Sequence, residues 1–184
     1  MSFVNGHFVA YARDLGYHPL VAAAGFSLIG LWAIVGTLFL GHLSDKQGRR
    51  KILSFSYHLR GVGFVIVLLS MGIPFLNIPS MGLPALLAGM VLVGVSWNAV
   101  VGVTAAYVSD RFGVSKLGTI YGTMFAVMPL GSGLGAFLGG YFYDVRGTYD
   151  IAIWSNIVLL VISGLLVLIK ERPPAMREAV AVAG

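Results

Sequence analysis

One stretch of this chain combines charge and glycine at spacings that chemistry can use: Gly41-His42-Leu43-Ser44-Asp45-Lys46-Gln47-Gly48-Arg49-Arg50-Lys51. The Asp45 carboxylate can accept hydrogen bonds from the exposed amides of a helix N-terminus and pair with Arg49 or Arg50, and such a contact can latch one conformation of a moving protein. Gly41 has no side chain, so a neighbouring helix can approach closely there, and Gly48 permits a tight reversal of the chain. A second copy follows at an offset of 99 residues, Gly140-Tyr141-Phe142-Tyr143-Asp144-Val145-Arg146-Gly147, and both read Gly-x-apolar-x-Asp-x-x-Gly.

Other reactive groups are sparse. The absence of cysteine excludes a disulfide framework, a thiolate metal site and a cysteine nucleophile. The four histidines are scattered and no acidic residue falls inside an apolar run, so no metal and no cofactor is expected. An integral-membrane enzyme is the weaker alternative for that reason, and a non-transporting membrane scaffold is another. Gly131-Ser132-Gly133-Leu134-Gly135-Ala136 imitates a dinucleotide fingerprint, but it sits inside an uncharged run with no strand before it. The twelve Lys and Arg residues are spread among apolar blocks, which argues against a nucleic-acid partner.

The elements that must position these groups follow from composition. With 58% hydrophobic and 10% charged residues, the chain cannot cover a soluble surface, and the lipid bilayer is its expected partner. Charge-free stretches run over 16–44, 61–109, 117–143 and 151–169. The second would reach over ~70 Å as one helix, against about 30 Å of hydrocarbon, so it must turn back. Pro74, Asn77, Pro79, Ser80, Gly82 and Pro84 mark the turn. Five full spans result, at about 18–42, 52–73, 83–109, 117–141 and 150–169.

Lys46, Arg49, Arg50, Lys51, Arg111, Lys116, Lys170, Arg172 and Arg177 all fall on one side, against Arg13 and Arg146 on the other. The positive-inside rule then puts loop 46–51 and a tail over 170–184 in the cytoplasm of a plasma (inner) membrane. Residues 1–17 read as the outer end of a truncated helix and a loop, ahead of a five-helix bundle over 18–169. Three spans separate the two glycine-aspartate copies, so they lie on opposite faces, as inverted-topology repeats require.

The run from Gly41 to Lys51 closely resembles the loop signature of the major facilitator superfamily, in which Gly-x-Leu-x-Asp, a basic residue, x, Gly and two further basic residues join the second and third or the eighth and ninth helices. Leu117 through Pro129 to Gly135, continuing to Asp144, further resembles the eleventh helix of the monocarboxylate and oxalate:formate antiporter branch. The resemblance covers residues 7–172 and implies an all-α polytopic fold: five full transmembrane helices plus the end of a sixth, arranged as inverted three-helix repeats. It implies the C-terminal portion of a secondary transporter, with a small-molecule substrate, organic anions among the candidates, and a missing N-terminal half as partners.

Mapped on that family, the first, third and fourth spans border the central cavity, while the second and fifth face lipid. Polar and aromatic residues at bilayer depth are then substrate candidates: Trp32, with Ser27 and Thr37; Trp97 and Asn98, with Thr104; and Tyr121, Thr123 and Ser132. Neither the first nor the fourth span has the basic residue that carboxylate-transporting relatives commonly carry. Arg60, accompanied by His58, is the cation placed inside a span, and roughly 13 Å of helix separates it from Lys51, so it is expected to snorkel towards the cytoplasm. Gly118 with Gly122 and Gly135 with Gly139 have the spacing of close helix packing, and Pro129 is expected to kink their helix.

Overall fold

The computed structural model describes residues 2–73 and 77–169. Among them the chain forms seven helices: α1 (Ser2–Asp14), α2 (Pro19–Gln47), α3 (Arg49–Met71), α4 (Gly82–Trp97), α5 (Ala99–Phe112), α6 (Val114–Arg146) and α7 (Asp150–Leu168). Five units are long and apolar enough to cross a bilayer, with α4 and α5 forming one of them, 82–112, interrupted at Asn98. The spans are those expected from hydropathy, but helix α2 runs on to Gln47 and helix α6 reaches from Val114 to Arg146. The expected tail over 170–184, with Lys170, Arg172 and Arg177, lies outside the described residues, as does Pro74.

Local chemistry fixes the ends. Pro19 opens α2 where its missing N–H costs nothing, and His18 Nδ1 accepts the Leu20 N–H at 3.2 Å. The reversal between α3 and α4 starts at Gly72, with φ of +80°, where an added Cβ would stand 2.9 Å from Ile78 O and Ser80 N. Only glycine fits there. Ile73 and Ile78 then exchange both backbone hydrogen bonds, at 3.0 and 3.2 Å, and the Met81 N–H donates to Leu69 O.

Packing is tightest around α4. A Cβ on Gly63 would stand 3.0 Å from Gly89 O, and one on Gly89 would stand 2.8 Å from Gly63 O, so α3 and α4 touch backbone to backbone. On its other side α4 meets α2, where Gly94 lies against Ile29 and Gly36 lies directly against the Val95 carbonyl. Small residues allow this approach, which is how membrane helices gain contact where burial from water contributes little. The main core joins Phe8 and Tyr11 of α1 with Phe64 and Leu68 of α3, Met90 of α4 and Ile153 of α7. A second cluster nearer loop 46–51 joins Leu40, Ile52, Leu53, Ala99, Val100 and Val103.

In α1, Val4, Phe8, Tyr11 and Ala12 are buried, and the Tyr11 hydroxyl donates to Val67 O at 3.0 Å. Two expectations need correction. The second span does not simply face lipid, because α3 is enclosed between α4 and α7 and only side chains such as Phe55 and Val62 look outward. Arg60 does not snorkel. It is 4% exposed and turned into the bundle, because acceptors on α4 satisfy its guanidinium better than a stretched path to the membrane surface would. By contrast α6 is nearly bare, with Gly139 its one buried residue and Leu130 and Phe137 openly exposed.

Candidate functional site

The helix ends around loop 46–51 converge on one guanidinium. Gly48, with φ of +96°, ends α2 and lets α3 begin at the next residue, which returns Arg49 alongside the last turn of α2. Arg49 Nη1 donates to Ser44 Oγ at 2.8 Å and to Asp45 Oδ1, and its Nε donates to Asp110 Oδ2 at 3.0 Å. One planar fork thus ties the ends of α2, α3 and α5. Both carboxylates are more than half exposed, so each pair contributes modestly, on the order of 0.2–1 kcal/mol, and the tie can open.

Sequence reasoning allowed Asp45 to pair with Arg49 or Arg50. The structure selects Arg49, whereas Arg50 Nε donates to Val167 O at 3.0 Å and its Nη2 donates to Ile169 O, capping the end of α7. Asp110 was not anticipated. Its only signal is its place in the last turn before Gly113, level with the loop across the bundle. Gly41 has no atom within 4 Å of an added Cβ, so no described helix makes the close approach expected there. It lines a cavity of about 300 Å³ between α2 and α5, with Thr37, Ala99 and Gly102 on its walls and Asp45 and Arg49 at its mouth.

The substrate candidates divide. Trp97 and Asn98 sit at the break between α4 and α5, with Asn98 exposed, and Trp32 packs its Cβ against the Gly94 backbone one turn away. The Tyr121 hydroxyl donates to Val101 O at 3.0 Å and pins α6 to α5. Thr123 Oγ1 donates back to Thr119 O within its own helix, as Ser27 and Thr37 do to Ala23 and Ala33. Ser132 lies elsewhere, in a groove of about 390 Å³ between α6 and α7 that also holds Gly135, Gly139 and Asn156. Replacing Tyr121 with Phe should cost about 0.6–1 kcal/mol, read as a small fall in thermal stability in detergent, whereas Thr123→Val should leave stability unchanged.

Of the glycines expected to pack helices, Gly118 and Gly122 stand on an open face with nothing within 4 Å. The four-residue spacing is present, but no described helix lies opposite it. Gly139 does lie in a contact: a Cβ added there would stand 3.3 Å from the His7 ring of α1, whose Nε2 donates to Ala136 O at 2.9 Å. That contact belongs to an aromatic cluster in which Tyr143 and Tyr149 stack at 4.3 Å, and burial of Tyr149, with Asp14 nearby, pushes its phenol pKa up. The second glycine-aspartate copy ends α6 as the first ends α2: the Gly147 N–H returns to Tyr143 O at 2.6 Å, as the Gly48 N–H returns to Ser44 O at 3.1 Å. Among the described residues no three His, Asp or Glu converge as a metal site would need.

Comparison with known proteins decides the family. The superfamily's sequence profile, Major Facilitator Superfamily, matches residues 1–184. This chain belongs to the Major Facilitator Superfamily. It is therefore an all-α, multi-pass integral membrane protein. An uncharacterized MFS-type transporter of Bacillus subtilis is 26% identical over 92% of this chain and 40% of its own length. Monocarboxylate transporter 9 of Gallus gallus is 32% identical over 89% of the chain and 30% of its own length. A triacylglyceride transporter of Mycobacteroides abscessus is 32% identical over 74% of the chain and 24% of its own length. The chain thus spans well under half of each of these superfamily relatives. No solved structure matches it.

Proposed function

We propose that this chain acts as the C-terminal portion of a secondary transporter that moves a small solute by alternating access, with a small organic anion as the solute class. The observation that carries the reading is the Arg49 fork, which joins α2, α3 and α5 through two exposed carboxylates and can open without leaving a buried charge unpaired. The cavity beside it, open at Gly41 and Gly102, gives a helix of an N-terminal half somewhere to dock, with Asp45 placed to accept from that helix's amides. Loop 46–51 then faces the cytoplasm of a plasma (inner) membrane.

The similarity to monocarboxylate transporter 9 supports an anionic solute, while the similarity to a triacylglyceride transporter indicates that cargo varies within the superfamily. The charges of α2 and α6 stand only at their ends, at Asp45, Lys46, Lys116, Asp144 and Arg146, so the counter-charge for the anion comes from elsewhere in the carrier. Uptake of radiolabelled short monocarboxylates into proteoliposomes holding the full-length protein tests the reading. Saturable uptake that a neutral analogue does not inhibit is expected, and no uptake above empty liposomes would overturn it. Asp45→Asn should shift the balance of inward and outward accessibility about two- to fivefold, since it removes one exposed charge pair; unaltered accessibility would remove Asp45 from the latch.

A further inference from the structure

Arg60 is a guanidinium buried inside a membrane helix bundle with no carboxylate beside it among the described residues. Placing such a charge near mid-bilayer costs roughly 2.5–3.5 kcal/mol even on the mildest scale. Its partners are specific. Nε donates to Ser96 Oγ at 3.2 Å, Nη2 donates to Ser96 O and to Trp97 O, the latter at 3.0 Å, and the Trp97 ring lies 5.5 Å beneath the guanidinium carbon. Ser96 Oγ in turn donates to Val93 O at 3.0 Å. The two carbonyls bonded to Arg60 are the last two of α4, immediately before the interruption at Asn98.

Neither glycine nor proline stands at that interruption, and Asn98 keeps near-helical angles, with φ of −91° and ψ of −18°. A helix whose ladder opens without a breaker residue needs an inserted group, and the Arg60 fork is such a group. The two sides of the opening also differ in packing. Towards the turn at Gly72, α4 is gripped by backbone contacts at Gly63, Gly36 and Ile29. On the far side, a Cβ added at Gly102 would meet nothing within 4 Å, a cavity opens between α5 and α2 beside the contact of Ala99 and Val103 with Leu40, and the tip of α5 is held through Asp110 by Arg49.

We infer that Arg60 is a positioning residue that holds the third span open at Asn98, making α5 a segment that pivots on the fixed α4 when the Arg49–Asp110 contact releases. The inference rests on reading that contact as a latch. The opened ladder itself is measurable whether or not the protein transports anything.

The test is hydrogen–deuterium exchange on the full-length protein in lipid nanodiscs, resolving amides 99–101 from those of α4. In the unaltered protein, 99–101 should exchange at least about tenfold faster than 90–94. Arg60→Met removes the inserted donors, so the Ser96 and Trp97 carbonyls should reclaim the Val100 and Val101 amides, and exchange at those two should slow about tenfold while α4 is unchanged. Asn98→Ala, at an exposed position, should leave the fast exchange intact. Exchange in Arg60→Met within twofold of the unaltered protein, or faster exchange throughout α4 and α5, would overturn the inference. So would closure of the ladder by Asn98→Ala, which remains informative if Arg60→Met does not fold. Failure of uptake with these exchange results intact would count against the transport reading alone.

Discussion

Valine at Gly36 should prevent the bundle from assembling. The Gly36 Cα rests on the Val95 carbonyl, so a Cβ, let alone two methyl groups, must push α2 away from α4 along their contact. Neither partner can yield cheaply, because the obstacle is backbone and Val95 directly follows Gly94, which is itself in contact with Ile29. Overpacking of cores costs about 1–3 kcal/mol and more where backbone must move, which is a large share of a typical domain's stability. Gly30→Val, on the same helix with nothing within 4 Å, supplies the control for helix propensity and lipid exposure. Fluorescence-detected size-exclusion after membrane extraction should show Gly36→Val aggregated or absent and Gly30→Val monodisperse. Equal behaviour of the two would mean that α2 and α4 are not in backbone contact.

The contrast shows how far glycine spacing can be read. The pairs at Gly118 and Gly122 have the right separation, yet packing needs a second helix, and the sequence of one helix does not name its neighbour. The glycines in contact, Gly36, Gly63, Gly89 and Gly94, sit at crossings set by long-range pairing of α2, α3 and α4. The spans themselves were legible because the cost of burying charge in lipid acts locally, residue by residue. The break at Asn98 was not, since Arg60 lies on another helix, 36 and 37 residues from the Ser96 and Trp97 groups it binds. Depth arithmetic placed Arg60 within reach of the cytoplasm but could not see which way it points, and its acceptors are carbonyls, which leave no mark in a sequence. Asp45 and Arg49 were legible as a pair four residues apart; Asp110, on another helix, needed the fold.

Removal of the Arg49 guanidinium is the second change with a large expected effect. Arg49→Met deletes both ion pairs and the bond to Ser44 while keeping the aliphatic stem, so α5 loses its tether to α2 and α3. Two half-exposed pairs and one hydrogen bond together contribute about 1–2 kcal/mol, which corresponds to a shift on the order of tenfold in the balance between closed and open states at this face. Arg49→Lys should recover part of that, because an ammonium keeps the charge but cannot span Asp45 and Asp110 with a planar fork.

These 184 residues hold no cysteine, so once any thiols in the rest of the full-length protein are replaced by serine, a single introduced thiol can report on the cavity between α2 and α5 without background. Gly102→Cys places it on the cavity wall, in open space. Its reaction with a membrane-impermeant maleimide, in inside-out vesicles carrying the full-length protein, should run about tenfold faster when Arg49 is replaced by Met and only a few-fold faster with Lys. Equal labelling rates with and without the Arg49 guanidinium would show that the fork does not hold this face closed.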